Sequence, residues 1–263
     1  MKTLFNDVHI HYEAQGSGLP LLFIHGFPLS RMIWQPQAQA LHQEFHVITP
    51  DLRGHGESAA PAGFYEMQTF ADDLLALLQH LQCGPAILIG HSMGGYIAFA
   101  FLRQYPEWVK GLVLVSTRAA ADSPEGKAGR EALAQAVEKA NSAAPVVAKM
   151  LTNMIAPASI AADPNLKTEV ERIMSHTSLN GLAGGLRGMA TRADAQDLLA
   201  AVHVPTLIIA GAADALIPPT ESENMAKAIS GAQLHLIEGA GHLPSLEKPE
   251  EMNRVLQAWL RKI

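Results

Sequence analysis

Gly90-His91-Ser92-Met93-Gly94 directly follows the apolar run Ala86-Ile87-Leu88-Ile89 and leads straight into an alanine-rich segment with helical spacing. An unbroken apolar run of this length reads as a strand buried on both faces, so the hydrophobic period changes from strand to helix within a few residues. A turn that abrupt strains the backbone of its central residue and tolerates little bulk two positions to either side, where Gly90 and Gly94 stand. Gly95 leaves room for close helix packing. Ser92 is therefore expected at a strand-to-helix elbow that exposes its hydroxyl as a nucleophile, with the unpaired N–H groups and positive dipole end of the next helix pointing at it. The Met93 N–H is one of those groups.

A nucleophilic serine needs a base, and the base needs an acid to orient it. The run Pro205 to Ala210 reads as a buried parallel strand, and Gly211-Ala212-Ala213-Asp214 follows it, placing Asp214 in the loop at the strand's carboxyl end. After a helical stretch, Gln233 to Ile237 reads as the next strand, and Glu238-Gly239-Ala240-Gly241-His242 puts His242 in the equivalent loop. Asp51 and Asp122 are the rival acids. Asp51 opens a turn with Arg53 and Gly54 that suits a structural aspartate, and Asp122 follows the strand after the nucleophile. Among the 12 histidines, His9 and His11 share one strand face without a third metal ligand nearby, and only His242 has this loop context.

The rest of the chain repeats one rhythm. Thr3 to Phe5 and Val8 to Glu13 read as an antiparallel start, and Leu21 to Ile24, Val47 to Thr49, Ala86 to Ile89 and Gly111 to Val115 are strands separated by helical segments. This alternation predicts an α/β protein with a mostly parallel, doubly wound sheet of about eight strands, with ligands bound beyond the carboxyl ends of the strands. From about Thr117 to Val202 the alternation stops, and alanine-rich helical stretches are punctuated by Pro124, Pro145, Pro157 and Pro164.

The 263 residues suffice for one large core. With 19 basic against 25 acidic residues and no basic cluster, nucleic acid is an unexpected partner, and a small, weakly charged substrate fits better. No apolar stretch approaches the ~20 residues that span a bilayer, and Asn6, Asp7 and His9 interrupt any secretory apolar region, so no membrane insertion is expected and the chain reads as cytoplasmic. The single cysteine, Cys83, fits a reducing compartment and reads as a buried, inert thiol.

The ordered set His25-Gly26-Phe27-Pro28, Asp51-Leu52-Arg53-Gly54-His55-Gly56, Gly90-His91-Ser92-Met93-Gly94-Gly95, the Asp214 loop and Gly241-His242 resembles the α/β-hydrolase family over nearly the whole chain. Within it, the chain looks most like small bacterial esterases related to cofactor-free haloperoxidases and 3-oxoadipate enol-lactonases. The resemblance implies a core of residues 1–116 and 203–263, with a helical cap at 117–202. It also implies a Ser92-His242-Asp214 triad that cleaves small carboxylic esters through an acyl-enzyme, with the Phe27 and Met93 N–H groups as the oxyanion hole and no metal or organic cofactor. His25, Met150, Met154 and Leu182 are expected to line the substrate pocket, and Arg118, Arg187 and Arg192 could hold a substrate carboxylate. Lactone hydrolysis, C–C cleavage and perhydrolysis by the same triad remain alternatives, as does a slow-turnover receptor. A menaquinone-pathway synthase fits less well, because Tyr96 stands where that enzyme carries arginine. A homo-oligomer is compatible with the sequence.

Overall fold

In the computed structural model the alternating apolar runs become the strands β1 (Lys2–Phe5), β2 (Val8–Gln15), β3 (Pro20–Ile24), β4 (His46–Pro50), β5 (Ala86–His91), β6 (Val109–Val115), β7 (Thr206–Gly211) and β8 (Gln233–Ile237). The structure describes residues 1–263, Phe5 by its backbone alone. The strands form one sheet in the order β1-β2-β4-β3-β5-β6-β7-β8. The β1–β2 and β2–β4 pairs are antiparallel, and β4 through β8 run parallel to one another. Every residue of β5 and β7 is buried, as unbroken apolar runs require when helices cover both sheet faces.

The covering helices are α1 (Gln35–Leu41), α2 (Met67–His80), α3 (Met93–Gln104), α10 (Pro219–Ala228) and α12 (Pro249–Leu260), with the one-turn α11 (Pro244–Glu247) before the last. In α2 the buried residues Phe70, Ala71, Leu74, Leu77 and Leu78 recur at three- and four-residue steps, the stripe of a helix lying on a core. Between β6 and β7 the described residues form α4 (Pro124–Ala140), α5 (Ala144–Met154), α6 (Pro157–Ala162), α7 (Pro164–Ser175), α8 (Leu179–Ala190) and the short α9 (Gln196–Leu199). Three of them start at a proline and α5 has one at its second position, which fits the first helical turn because the missing N–H is unpaired there anyway.

Helix α8 packs along α4 and sits on the sheet-end loops through its glycines. A Cβ at Gly181 would lie 1.9 Å from the Gly54 carbonyl oxygen, and one at Gly188 would lie 1.7 Å from that of Tyr65. The serine caps of α8 tie it down further, since the Ser178 hydroxyl accepts from Gly181 N–H and donates to the Gly54 carbonyl, both at 2.9 Å. Cys83 is half-buried, and burial pushes its thiol pKa up, in keeping with an unreactive side chain. No helix among the described residues is long and apolar enough to cross a membrane.

These close approaches make α8 intolerant of any side chain at its glycines. Gly188→Ala should lower stability by about 1–3 kcal/mol through overpacking, shifting the thermal midpoint by roughly 2–4 °C per kcal/mol. An unchanged melting curve by circular dichroism would show that α8 does not rest on the Tyr65 backbone.

Candidate active site

The turn from β5 into α3 puts Ser92 at φ 52° and ψ −113°, a left-handed conformation that side chains rarely adopt. The surroundings enforce it. Ser92 N–H donates to the Val115 carbonyl at 2.9 Å, and the Thr117 hydroxyl donates to the Ser92 carbonyl at 2.7 Å. A Cβ at Gly94 would stand 2.2 Å from the Ile24 carbonyl oxygen, and one at Gly90 would stand 2.4 Å from that of Gly94. A Cβ on Gly26 would fall 3.0 Å from that of Ser92, which brings the loop after β3, and with it Phe27, alongside the serine. Met93 opens α3, so helix geometry leaves its N–H without an intrahelical partner.

From the neighbouring strand ends come the other two groups. The His242 Nδ1–H donates to Asp214 Oδ2 at 2.8 Å, with both side chains buried. Asp214 Oδ1 accepts the Leu216 and Ile217 N–H groups, each at 2.9 Å. Burial opposes a charge on Asp214, but the His242 ring and these N–H groups outweigh it and hold the carboxyl below its usual pKa. Ser92 and His242 open into one cavity of about 130 Å³. Its walls are Phe27, Tyr96 and Met150, with Met189, Leu216 and Ile217, and Arg118 and Arg130.

Asp122 is engaged elsewhere, because Arg118, Arg130 and Arg192 all converge on it. Asp51 is structural, accepting from Arg31 and from the Glu57 N–H. Arg187 is paired with Glu131 and Glu138.

Of the expected pocket residues, Met150 lines the cavity and three others do not. Met154 is fully buried, and its carbonyl accepts the His242 N–H at 3.0 Å, so it anchors the histidine loop from behind. Leu182 is fully buried on α8 beside Gly181, the residue that seats the helix on Gly54, and packs inward. His25 is a buried strut whose Nδ1–H donates to the Gly26 carbonyl and whose Nε2 accepts the Leu52 N–H, both at 2.9 Å. In all three cases an apolar or motif-borne residue was drawn into the core rather than toward the cavity.

Glu247 carries the largest positioning role that sequence reasoning missed. Its Oε2 accepts the N–H groups of Gly241 and Ala156, and its Oε1 accepts that of Leu243, all at 2.9 Å. One buried carboxylate thus grips both neighbours of His242 and the residue that begins the turn into α6. The signal was present as an acidic residue five positions beyond His242, at the end of the short Leu243-Pro244-Ser245-Leu246 turn that follows it. His91, adjacent to Ser92, donates its Nε2–H to the His242 carbonyl at 2.8 Å, a further brace on the same loop.

Replacing Glu247 by Gln sets an amide donor against at least one of these N–H groups and leaves it unsatisfied. A loss of about 1–3 kcal/mol is expected, read as a lower thermal midpoint. A variant as stable as the parent would mean that the three N–H groups find other acceptors.

A pH dependence follows from the buried histidines. Burial pushes His25 down to about 4 and, with the neighbouring His25 and His242 rings respectively, His55 and His91 down to about 3. In the unfolded chain they titrate near 6.5. Between these values the unfolded chain binds protons that the folded one refuses, so stability falls as pH drops from about 6.5 toward 4, by about 1.4 kcal/mol per pH unit per histidine at most. Denaturant midpoints measured from neutral to acidic pH should fall across this window. A flat profile would mean that these rings are not held neutral.

The match to known proteins extends over this whole framework. Residues 20–249 match the family model described as the alpha/beta hydrolase fold. The chain is 32% identical to 3-oxoadipate enol-lactonase 1 of Acinetobacter baylyi over 243 residues, covering 92% of this chain and 89% of that one. Among solved structures it superposes on a thermophilic esterase from Thermogutta terrifontis, bound to malate, with a TM-score of 0.95 and 41% identity, covering 97% of this chain and 94% of the other. It also superposes on a bromoperoxidase from Bacillus anthracis with a TM-score of 0.85 and 27% identity, covering 97% and 96% of the two chains. The elbow, the strand-end Asp214 and His242, and the sheet order thus stand in a chain that belongs to the alpha/beta hydrolase family.

Proposed function

We propose that the chain is a serine hydrolase of small carboxylic esters that works through an acyl-enzyme. The observation that carries this is the buried 2.8 Å His242–Asp214 hydrogen bond behind a cavity that His242 shares with the strained Ser92. Asp214 fixes the tautomer that keeps His242 Nε2 unprotonated and free to act as base. His242 takes the Ser92 proton as Oγ attacks the ester carbonyl, and the Phe27 and Met93 N–H groups receive the negative charge that develops on the carbonyl oxygen. The imidazolium then protonates the departing alcohol, and water activated by the same ring releases the acid. These steps call on no metal or organic cofactor.

Lactone hydrolysis is the second reading, favoured by the name of the enol-lactonase relative. A lactone is an ester whose alcohol stays tethered after ring opening, so every residue keeps its role. The chemistry is the same; the substrate's connectivity differs.

Short-chain p-nitrophenyl esters, lactones and a C–C hydrolase substrate, assayed side by side, separate the readings. Ser92→Ala should lower ester turnover by about 10⁶ and Asp214→Asn by about 10⁴ in kcat, each with the fold retained. Near-parental turnover in folded Ser92→Ala would remove the serine from the chemistry, and damage from Asp122→Asn in place of Asp214→Asn would reassign the acid.

A further inference from the structure

The wall of the Ser92 cavity carries more positive charge than its partners neutralise. Arg118, Arg130 and Arg192 all contact the single carboxylate of Asp122, so among the groups in contact three cations meet one anion. Although burial favours the neutral acid, hydrogen bonds from Arg192 and Arg130 hold the Asp122 carboxyl well below the usual range, and it remains an anion. The three arginines are not equivalent. Arg192 is buried and engaged, donating also to the carbonyls of Met189 and Ala120 and lying 4.2 Å from the Tyr96 ring centroid. Arg130 adds a contact to the Met189 sulfur. Arg118 gives Asp122 one hydrogen bond, at 2.6 Å, and its buried Nε, like that of Arg192, has no partner.

Arg118 and Arg130 face the cavity that holds Ser92 and His242. Glu221, near enough to act on Arg118, makes no ion pair with it among the described residues. Partly buried guanidinium groups that outnumber their carboxylate form an incomplete cluster, which a second carboxylate would complete with charge-assisted hydrogen bonds.

We propose that Arg118 and Arg130 form a carboxylate seat, and that the preferred substrates are esters or lactones bearing a free carboxylate on the portion that enters this cavity. This rests on the ester-hydrolase reading above and names the substrate class of the same site. Arg118 also lines an adjoining cavity of about 260 Å³ that shares Tyr96, so the seat stands where the two spaces meet.

The experiment compares methyl hydrogen glutarate with methyl valerate, which has the same acyl length and no charge, by pH-stat titration at neutral pH. The parent protein should prefer the anionic ester by about tenfold or more in kcat/KM. Arg118→Gln should remove most of that preference, chiefly by raising KM for the anionic ester, and Arg118→Lys should restore part of it. A structural role alone would lower turnover of both esters together and leave their ratio unchanged. Hydrolysis of methyl valerate as fast as or faster than the half-ester by the parent overturns the seat while leaving the esterase reading in place. So does an unchanged ratio in both Arg118→Gln and Arg130→Gln. Failure to hydrolyse either ester overturns both.

Discussion

Everything in this molecule that bears on chemistry is referred to one strained residue. Ser92 sits in a left-handed conformation that costs on the order of 1–3 kcal/mol, and it persists because three glycines let the surrounding backbone close on it. Gly94 brings α3 against the end of β3, Gly95 brings it against Thr117, and Gly90 lets the strand pass under the first turn of the helix. The contact at Gly94 carries furthest. Moving α3 away from the Ile24 carbonyl would also separate Ser92 from Gly26, and so from the Phe27 N–H on the same loop. The elbow therefore sets the exposure of the Ser92 hydroxyl and its spacing from the Phe27 and Met93 N–H groups in one step.

Around the elbow, polar groups that would be costly to bury are used as braces. His91, His25 and His55 are neutral in the interior, each donating a ring N–H to a backbone carbonyl. The first ties the residue beside Ser92 to the carbonyl of His242, and Glu247 clamps the N–H groups on both sides of that histidine. Strand ends fix positions only to within a loop's freedom. These buried hydrogen bonds remove that freedom, because breaking any one would leave an unsatisfied polar group away from water.

What could be read from the sequence was local. The strand before Ser92, the glycines two positions either side and the loops carrying Asp214 and His242 all follow from period and turn chemistry within a few residues, and the eight strands fall where the apolar runs place them. What escaped was non-local. Glu247 acts on Ala156 across 91 positions. Arg130 is in a solvated-looking stretch of α4 and reaches the cavity because that helix packs along α8. Met150 and Met154 are one turn apart on α5, yet only the first meets the cavity, because apolar character identifies a buried residue without saying which neighbour buries it. His25 was misassigned for a related reason: its motif marks a crowded place, and the crowding itself turns the ring into the core.

The cavity's shape is tied to the Asp214–His242 pair on one wall and is independent of it on the other. Leu216 and Ile217 line the cavity while their N–H groups hold Asp214 Oδ1, so any repacking of this wall is transmitted to the carboxylate bonded to His242. Met150 and Met189 come from the helices between β6 and β7 and make no hydrogen bond with Asp214 or His242 through their side chains. Unbranched and adaptable, they can alter the cavity's shape without moving Asp214 or His242. The helical wall can therefore change shape with Asp214 and His242 left in place, whereas the wall built from the Asp214 loop is tied to that hydrogen-bonded pair.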